Sequence, residues 1–234
     1  MEDIKILVVD DEPKLVRLLS EVLTGIGCNV VAASRGKDAI EKTAMEQPDL
    51  IVLDIVLADE TDGYEVARKV REFSDVPIIM LTAKARESDL LRGFDAGVDD
   101  YLTKPFSSKE FVVRVKAILK RTDIDYKDIG DSQISCGPLK IDLVRHRVII
   151  RGEEIRLTRT EYKLLVELAR HRNKICIHEL LLRNVWGSEY VDDVDYLRAY
   201  VRYLRRKIEE IPSEPAFIIT HQGIGYELIC PGEE

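Results

Sequence analysis

Short apolar runs that each end abruptly in polar residues constrain this chain more than any other feature. The plainest is LIVL at residues 50–53, with Pro48 upstream and Asp54 immediately after it. A continuous run of this length suits a strand covered on both faces, as in a parallel sheet, because a half-exposed strand would alternate. The others are IKILVV at 4–9, leading into Asp10, Asp11 and Glu12; PIIML at 77–81, leading into Thr82; and Tyr101-Leu102, leading into Thr103, Lys104 and Pro105. Open α/β sheets bind ligands outside the carboxyl ends of their strands, which is where these polar residues fall. A lone aspartate after a strand is explained as well by turn formation, so the argument rests on the ends taken together.

If the strands are parallel neighbours, Asp10, Asp11 and Asp54 converge with Thr82 and Lys104. Carboxylates grouped this way repel one another, and their pKa values rise unless a cation joins them. An oxygen-only, partly hydrated site suits Mg²⁺. Beside such a cation, with Lys104 neutralising the oxygens in transfer, Asp54 is placed to attack a phosphoryl group and become an acyl phosphate.

Helical patterns fill the gaps between runs. Leu15, Leu18, Leu19, Val22 and Leu23 recur at helical spacing before Gly25 and Gly27, and further helices are predicted at 36–46, 64–73 and 87–96. SSKE at 107–110 has capping-box spacing and opens a helix bearing Phe111, Val115, Ile118 and Leu119. Alternation of this regularity predicts an α/β doubly wound, five-stranded parallel sheet over residues 1–121.

VVDDEP, LDIVL, MLTAK and DDYLTKPF, in this order, resemble the receiver domain of bacterial two-component response regulators. The resemblance implies phosphorylation of Asp54 by a sensor histidine kinase. It further implies Mg²⁺ held by Asp11, Asp54 and the backbone carbonyl of Val56, with Asp10 helping through water, and phosphate contacts from Thr82 and Lys104. A cis Lys104–Pro105 peptide also follows, as does a switch in which Thr82 turns to the phosphate and Tyr101 enters the vacated space; taken alone, Tyr101 is an ordinary half-buried aromatic. The same resemblance implies a phosphorylation-promoted homodimer contact through Asp95, Asp99, Asp100, Glu110, Arg114, Lys116 and Arg121, which on charge pattern alone is a solvated face. Three positions depart from the family pattern. Ala58 replaces a usual proline, Gly63 falls nine residues after Asp54 where eight is usual, and Leu90 replaces a common basic partner for Glu110.

Residues 122–135, TDIDYKDIGDSQIS, hold one lysine against four aspartates without helical period, and read as a flexible acidic linker. From residue 136 the pattern changes class. Short β-like runs at 139–142, 147–150 and 154–157 suggest a small antiparallel sheet, and TRTE at 158–161 is a second capping box opening a helix with Tyr162, Leu164, Leu165 and Leu168 on one face. A second helix is predicted at 178–185. In the third, at 194–210, Leu197, Val201, Leu204 and Ile208 face a core, while Arg198, Arg202, Arg205 and Arg206 line another side with Tyr200 and Tyr203 nearby. Such a stripe suits entry into the major groove, and it suits equally a solvated amphipathic helix. A hairpin with glycines at its tip follows at 217–228.

Three helices, the third basic, and a terminal hairpin make an α+β winged helix-turn-helix domain. LTRTEYKLL, NVWG, LRRKIE and GIGYEL resemble the effector domain of the OmpR/PhoB class, and YLRAYVRYLRRKIE with QGIGYEL is similar to KdpE-type regulators of potassium transport. The resemblance implies binding to direct-repeat promoter DNA through Arg198, Arg202, Tyr203, Arg205, Arg206 and the wing residue Gln222, which stands where many relatives carry arginine, with RNA polymerase as a further partner.

Residues 136–234 hold 16 basic and 16 acidic side chains, so DNA affinity must come from the local arginine stripe rather than from net charge. No apolar run approaches the roughly 20 residues of a membrane span, and MEDIK enters a strand without a signal sequence, so a cytoplasmic protein is expected. Cys28, Cys136, Cys176 and Cys230 lack paired spacing and are expected as packed, reduced thiols; the four histidines show no metal-ligand spacing. Two other functions stay open. One is a DNA-binding protein with no phosphorylation switch. The other is an aspartyl-phosphate phosphatase, which would want a carboxylate where Val56 stands.

Overall fold

The computed structural model describes residues 4–58, 61–83, 95–121 and 133–230, with the side chains of Lys120 and Arg121 excepted. It divides into two compact units, Met1–Thr122 and Asp123–Glu234.

In the first unit β1 (Lys5–Val9), α1 (Pro13–Gly25), β2 (Asn29–Ala33), α2 (Gly36–Glu46), β3 (Leu50–Asp54), α3 (Gly63–Arg71), β4 (Ile78–Thr82), β5 (Asp100–Thr103) and α4 (Ser108–Arg121) follow one another. The strands pair in parallel in the order β2-β1-β3-β4-β5. This arrangement puts β3 at the centre, and all five of its residues are buried. One face of the sheet contributes Ile6, Val8, Leu50, Val52, Ile79, Leu81 and Leu102 to a core completed by Leu19 and Leu23 of α1 and Phe111, Val115 and Ile118 of α4. The alternate residues Leu7, Val9, Ile51 and Leu53 are just as buried, so both faces are covered, as the unbroken apolar runs require. Each such side chain contributes about 1.5–3 kcal/mol by leaving water.

The helix ends follow from local chemistry. α1 starts on Pro13, whose missing N–H costs nothing at the first helical position. α3 starts on Asp62, whose carboxylate accepts from the Glu65 N–H at 2.8 Å. Of the helix predicted at 87–96, residues 87–94, including Leu90, lie outside the described residues.

In the second unit β6 (Gln133–Cys136), β7 (Leu139–Asp142), β8 (Arg147–Ile150) and β9 (Glu153–Ile155) form an antiparallel sheet in sequential order. Then come α5 (Arg159–Arg170), β10 (Cys176–Ile177), α6 (His178–Val185), a 3-10 turn at Ser188–Tyr190, α7 (Val194–Ile208), β11 (Ile218–His221) and β12 (Gly225–Leu228). The TRTE capping box forms in full, with Thr158 Oγ1 accepting from the Glu161 N–H and Glu161 accepting from the Thr158 N–H.

Two expectations need correction here, and one is extended. The linker expected over 122–135 ends earlier, because Gln133–Cys136 is strand β6, paired residue by residue with β7; residues 122–132 lie outside the described residues. The hairpin expected at 217–228 forms as β11 and β12, and β10 extends it to a three-stranded sheet, β10-β12-β11, since Cys176 and Ile177 pair with Tyr226 and Gly225. A Cβ on Gly225 would stand 1.9 Å from the Cys176 carbonyl oxygen, so only glycine admits β10 at that point. Finally, Cys136 and Cys230 form a disulfide, with Cα atoms 4.7 Å apart across a sequence separation of 94. Only Cys28 and Cys176 are the free, buried thiols expected of all four.

Candidate phosphoacceptor site and nucleic-acid interface

Strand polarity assembles the first site. β1 and β3 lie side by side, with Val9 opposite Leu53, so Asp10 and Asp54 leave the sheet at the same rim. On the other side Asp54 is registered with Leu81, and Thr82 with Thr103. A hydrogen bond from the Lys104 N–H to the Thr82 carbonyl (2.6 Å) extends this ladder and brings Lys104 round to the carboxylates. Its ammonium lies 2.9 Å from Asp10 Oδ2 and 3.1 Å from Asp54 Oδ2. The Lys104–Pro105 peptide is cis.

Both carboxylates are oriented by backbone as well. Asp54 Oδ1 accepts from the Ile55 N–H at 3.0 Å and Asp10 Oδ1 from the Glu12 N–H at 2.8 Å. Burial raises the pKa of Asp54 above the ordinary carboxylate value, with the charge of Asp10 adding to it, and the ion pair with Lys104 only partly offsets the rise. Desolvation alone would lower the Lys104 pKa. Its hydrogen bonds and charge contacts with Asp10 and Asp54 outweigh that and raise it, so the ammonium is kept.

Asp10, Asp11 and Asp54 each offer a carboxylate oxygen within 4.8 Å of the others, with Asp11 exposed. An all-oxygen set of this charge, buried on one side and open to water on the other, fits a hard divalent cation that keeps part of its hydration shell. Val56, whose side chain is exposed, follows two residues after Asp54, on the same rim.

Gly63 closes the far side. Its N–H donates to the Ile55 carbonyl at 2.8 Å, and a Cβ there would stand 2.2 Å from the carbonyl oxygen of Asp54. The extra residue between Asp54 and this glycine therefore leaves the glycine seated on the backbone at the end of β3.

In the second unit, α7 presents Arg198, Arg202 and Arg206 as exposed side chains, while Leu197, Val201, Leu204 and Ile208 are buried as predicted. Arg198 pairs with Asp195 at 2.5 Å in the first helical turn. Gln222 is exposed at the hairpin tip beside Gly223, whose φ of +74° suits a turn residue without a side chain.

Comparison with known proteins bears on both sites. Residues 6–116 match the response regulator receiver domain family, and residues 152–228 match the family described as transcriptional regulatory protein, C terminal. The alkaline phosphatase synthesis transcriptional regulatory protein PhoP of Bacillus subtilis (strain 168) is 41% identical over 234 residues, covering 97% of each chain. This chain belongs to the OmpR/PhoB class of response regulators. Among solved structures, the OmpR/PhoB homologue DrrB of Thermotoga maritima is 32% identical, with a TM-score of 0.53 over 98% of this chain and 100% of its own. A RitR mutant is 27% identical, with a TM-score of 0.78 over 96% and 98%.

In this response regulator the remaining residues singled out in the sequence fall into distinct settings. Thr82 and Tyr101 are both buried, on neighbouring strands, with Tyr101 registered against Met80, two residues before Thr82. Asp95, Glu110 and Lys116 are exposed. Asp99 and Asp100, expected on an open face, are buried inside the unit. Asp99 takes Arg71 at 2.7 Å and the Ile78 N–H at 3.0 Å, and Asp100 takes Arg114 at 3.2 Å and the Tyr101 N–H at 2.7 Å. Arg114 also reaches Glu110 at 3.4 Å. The side chain of Arg121 lies outside the described residues.

Two aromatic placements also differ from expectation. Tyr203, expected at the DNA face, is only 2% exposed, and the Arg206 guanidinium lies 5.3 Å from its ring centroid. Tyr200 is buried against Trp186 and Tyr196, at ring distances of 5.0 and 5.1 Å. Spacing along one helix places a ring near the arginines but does not reveal that α6 and the 3-10 turn supply an aromatic pocket behind it. Arg71, the anchor of Asp99, was also missed; a single arginine at the end of a basic helix carries no signal of a distant partner.

Proposed function

We propose that this chain is a phosphorylation-switched transcriptional regulator in which a sensor histidine kinase transfers a phosphoryl group to Asp54, phosphorylated receivers pair, and the effector domains bind direct-repeat promoter DNA and engage RNA polymerase. The observation that carries this reading is the Lys104 ammonium held between Asp10 and Asp54, at 2.9 and 3.1 Å, beside the exposed Asp11. In the transfer, an oxygen of Asp54 attacks phosphorus, the bond from phosphorus to the donor's nitrogen breaks, and the departing imidazole takes a proton from solvent. Lys104 neutralises charge on the equatorial oxygens, and Thr82 holds one of them once the acyl phosphate exists. Bound by Asp11, Asp54 and the Val56 carbonyl, with Asp10 acting through water, Mg²⁺ would supply further neutralisation of those oxygens.

Asp95, Asp99, Asp100, Glu110, Arg114, Lys116 and Arg121 are proposed for the contact between phosphorylated receivers, which for Asp99 and Asp100 requires exchange of the pairs they make inside the unit. Arg198, Arg202 and Arg206 are proposed to meet DNA from α7, with Gln222 meeting it from the wing. Work on DNA and with a kinase's phosphohistidine belongs in the cytoplasm. Among the described residues no helix is long and apolar enough to cross a membrane. Control of potassium transport has only YLRAYVRYLRRKIE and QGIGYEL in its favour, and the Bacillus subtilis relative PhoP is named for alkaline phosphatase synthesis instead.

The test is incubation with Mg²⁺ and acetyl phosphate, read by intact mass and gel filtration. One phosphoryl group gained by the wild type and not by Asp54→Asn, with a shift towards dimer, is expected; wild-type protein that gains no adduct refutes the switch.

A further inference from the structure

One guanidinium of the α7 stripe turns back into the fold. Arg205 donates from Nε and Nη2 to the Ile218 carbonyl, at 3.0 and 2.6 Å, and from Nη2 to Oγ1 of Thr220 at 2.8 Å. One helical turn later the carboxylate of Glu209, 7% exposed, accepts the N–H groups of Ala216 (2.9 Å), Phe217 (3.0 and 3.1 Å) and Ile218 (2.9 Å). Arg205 in the last turn of α7 and Glu209 immediately after the helix therefore grip the same chain segment, and Ile218 has its carbonyl held by the first and its N–H by the second.

The strand they grip is β11, the edge of the β10-β12-β11 sheet. An edge strand presents backbone donors and acceptors that its own sheet leaves unmade, and here the charged side chains of Arg205 in α7 and of Glu209 just beyond it meet them. β11 and β12 carry the hairpin tip at residues 222–224, so the position of the tip relative to α7 is set through these bonds.

We propose that Arg205 is a positioning residue: with Glu209 as its counterpart it fixes the wing at a set distance and angle from the recognition helix, and it does not contact phosphate. This rests on the reading of α7 as the DNA-facing helix. It divides the arginine stripe by role, leaving Arg198, Arg202 and Arg206 to meet DNA. Residues 216–228 contain no lysine or arginine, so a displaced wing loses contacts that release no counterions. Displacing the wing and deleting a phosphate contact thus have different salt signatures.

The experiment uses the full chain and a duplex enriched from a random-sequence pool by the wild-type protein, well below each variant's unfolding midpoint. Affinity is followed across a salt series, and hydroxyl-radical footprints report protection in the minor groove beside the recognition-helix contact. Arg205→Ala and Arg205→Lys are both expected to lose that flanking protection and about tenfold in affinity, with the slope of log K against log salt unchanged. Lysine keeps the charge but cannot make the paired bonds to Ile218. Arg202→Ala, the control, lowers the slope by about one while leaving the flanking protection in place. Thr220→Val, which removes only the hydroxyl acceptor, gives a partial loss of flanking protection and guards against misfolding in the arginine variants. A slope lowered in Arg205→Ala and restored with full affinity in Arg205→Lys overturns the proposal, because Arg205 would then be a phosphate contact. Wild-type affinity and slope in Arg202→Ala would instead sink the assignment of α7 to DNA.

Discussion

The Lys104 ammonium lies 3.1 Å from Oδ2 of Asp54 and 2.9 Å from Oδ2 of Asp10, so one cation bridges both carboxylates. It stands against a buried carboxylate whose pKa is pushed upward by desolvation and, less strongly, by the charge of Asp10. Replacing Lys104 with methionine keeps the apolar stem and removes the charge. Phosphorylation of Asp54 by acetyl phosphate is expected to slow by about a hundredfold, the effect of losing one preorganised charge from a transfer site. Stopped-flow or quench-flow mass spectrometry checks it, and a rate within threefold of wild type would be the contrary result.

Gly63→Ala tests the loop. The added Cβ meets the Asp54 carbonyl oxygen at 2.2 Å, and the opposing atom is backbone, which cannot swing aside. Residues around Asp54 must shift, so both stability and phosphorylation rate should fall, by about 1–3 kcal/mol for the former. Gly25→Ala, with nothing within 4 Å of its Cβ, is the control expected to change little.

The Arg71–Asp99 pair gives a stability prediction. Asp99 Oδ2 accepts from Arg71 at 2.7 Å and from the Ile78 N–H at 3.0 Å, and both side chains are largely buried. Asp99→Ala leaves a guanidinium without its counter-charge and an amide without its acceptor. A loss of about 3–5 kcal/mol is expected in denaturant unfolding. If Asp99 served only at a contact between receivers, the monomer's unfolding midpoint would stay put.

The cysteines give a chemical prediction. Under non-reducing denaturation, two thiols should react with iodoacetamide and two should be held in the Cys136–Cys230 bridge. In the folded chain Cys176 should be inert at pH 8. Burial pushes its thiol up to about 11, leaving about one part in a thousand as the reactive thiolate. Opening the bridge across its separation of 94 residues should cost about 4 kcal/mol of stability in the second unit. Equal unfolding midpoints for wild type and Cys136→Ser would contradict this.

What could be read from the residues was whatever depends on period and strand polarity. Apolar runs buried on both faces demand a covered parallel sheet, and parallel strands deliver their carboxyl ends to one rim. Asp10, Asp54, Thr82 and Lys104 are therefore legible as a group in the sequence alone. The capping residues Asp62 and Thr158 act within four residues of themselves, a range that local chemistry determines. Asp62 was nonetheless passed over, its signal masked by the polar loop around it.

The Cys136–Cys230 bridge, strand β10, the burial of Tyr203, the inward pairs of Asp99 and Asp100 and the grip of Arg205 on Ile218 were decided only in three dimensions. Each depends on which segment arrives from elsewhere in the chain. An arginine reads the same in sequence whether it will meet a phosphate or the carbonyl of an edge strand. The chain alone established that a cluster of carboxylates and a stripe of guanidiniums would exist. Tertiary packing chose the partner of each charged group, because a charge leaving water must find its counterpart among whatever the fold places within about 3 Å.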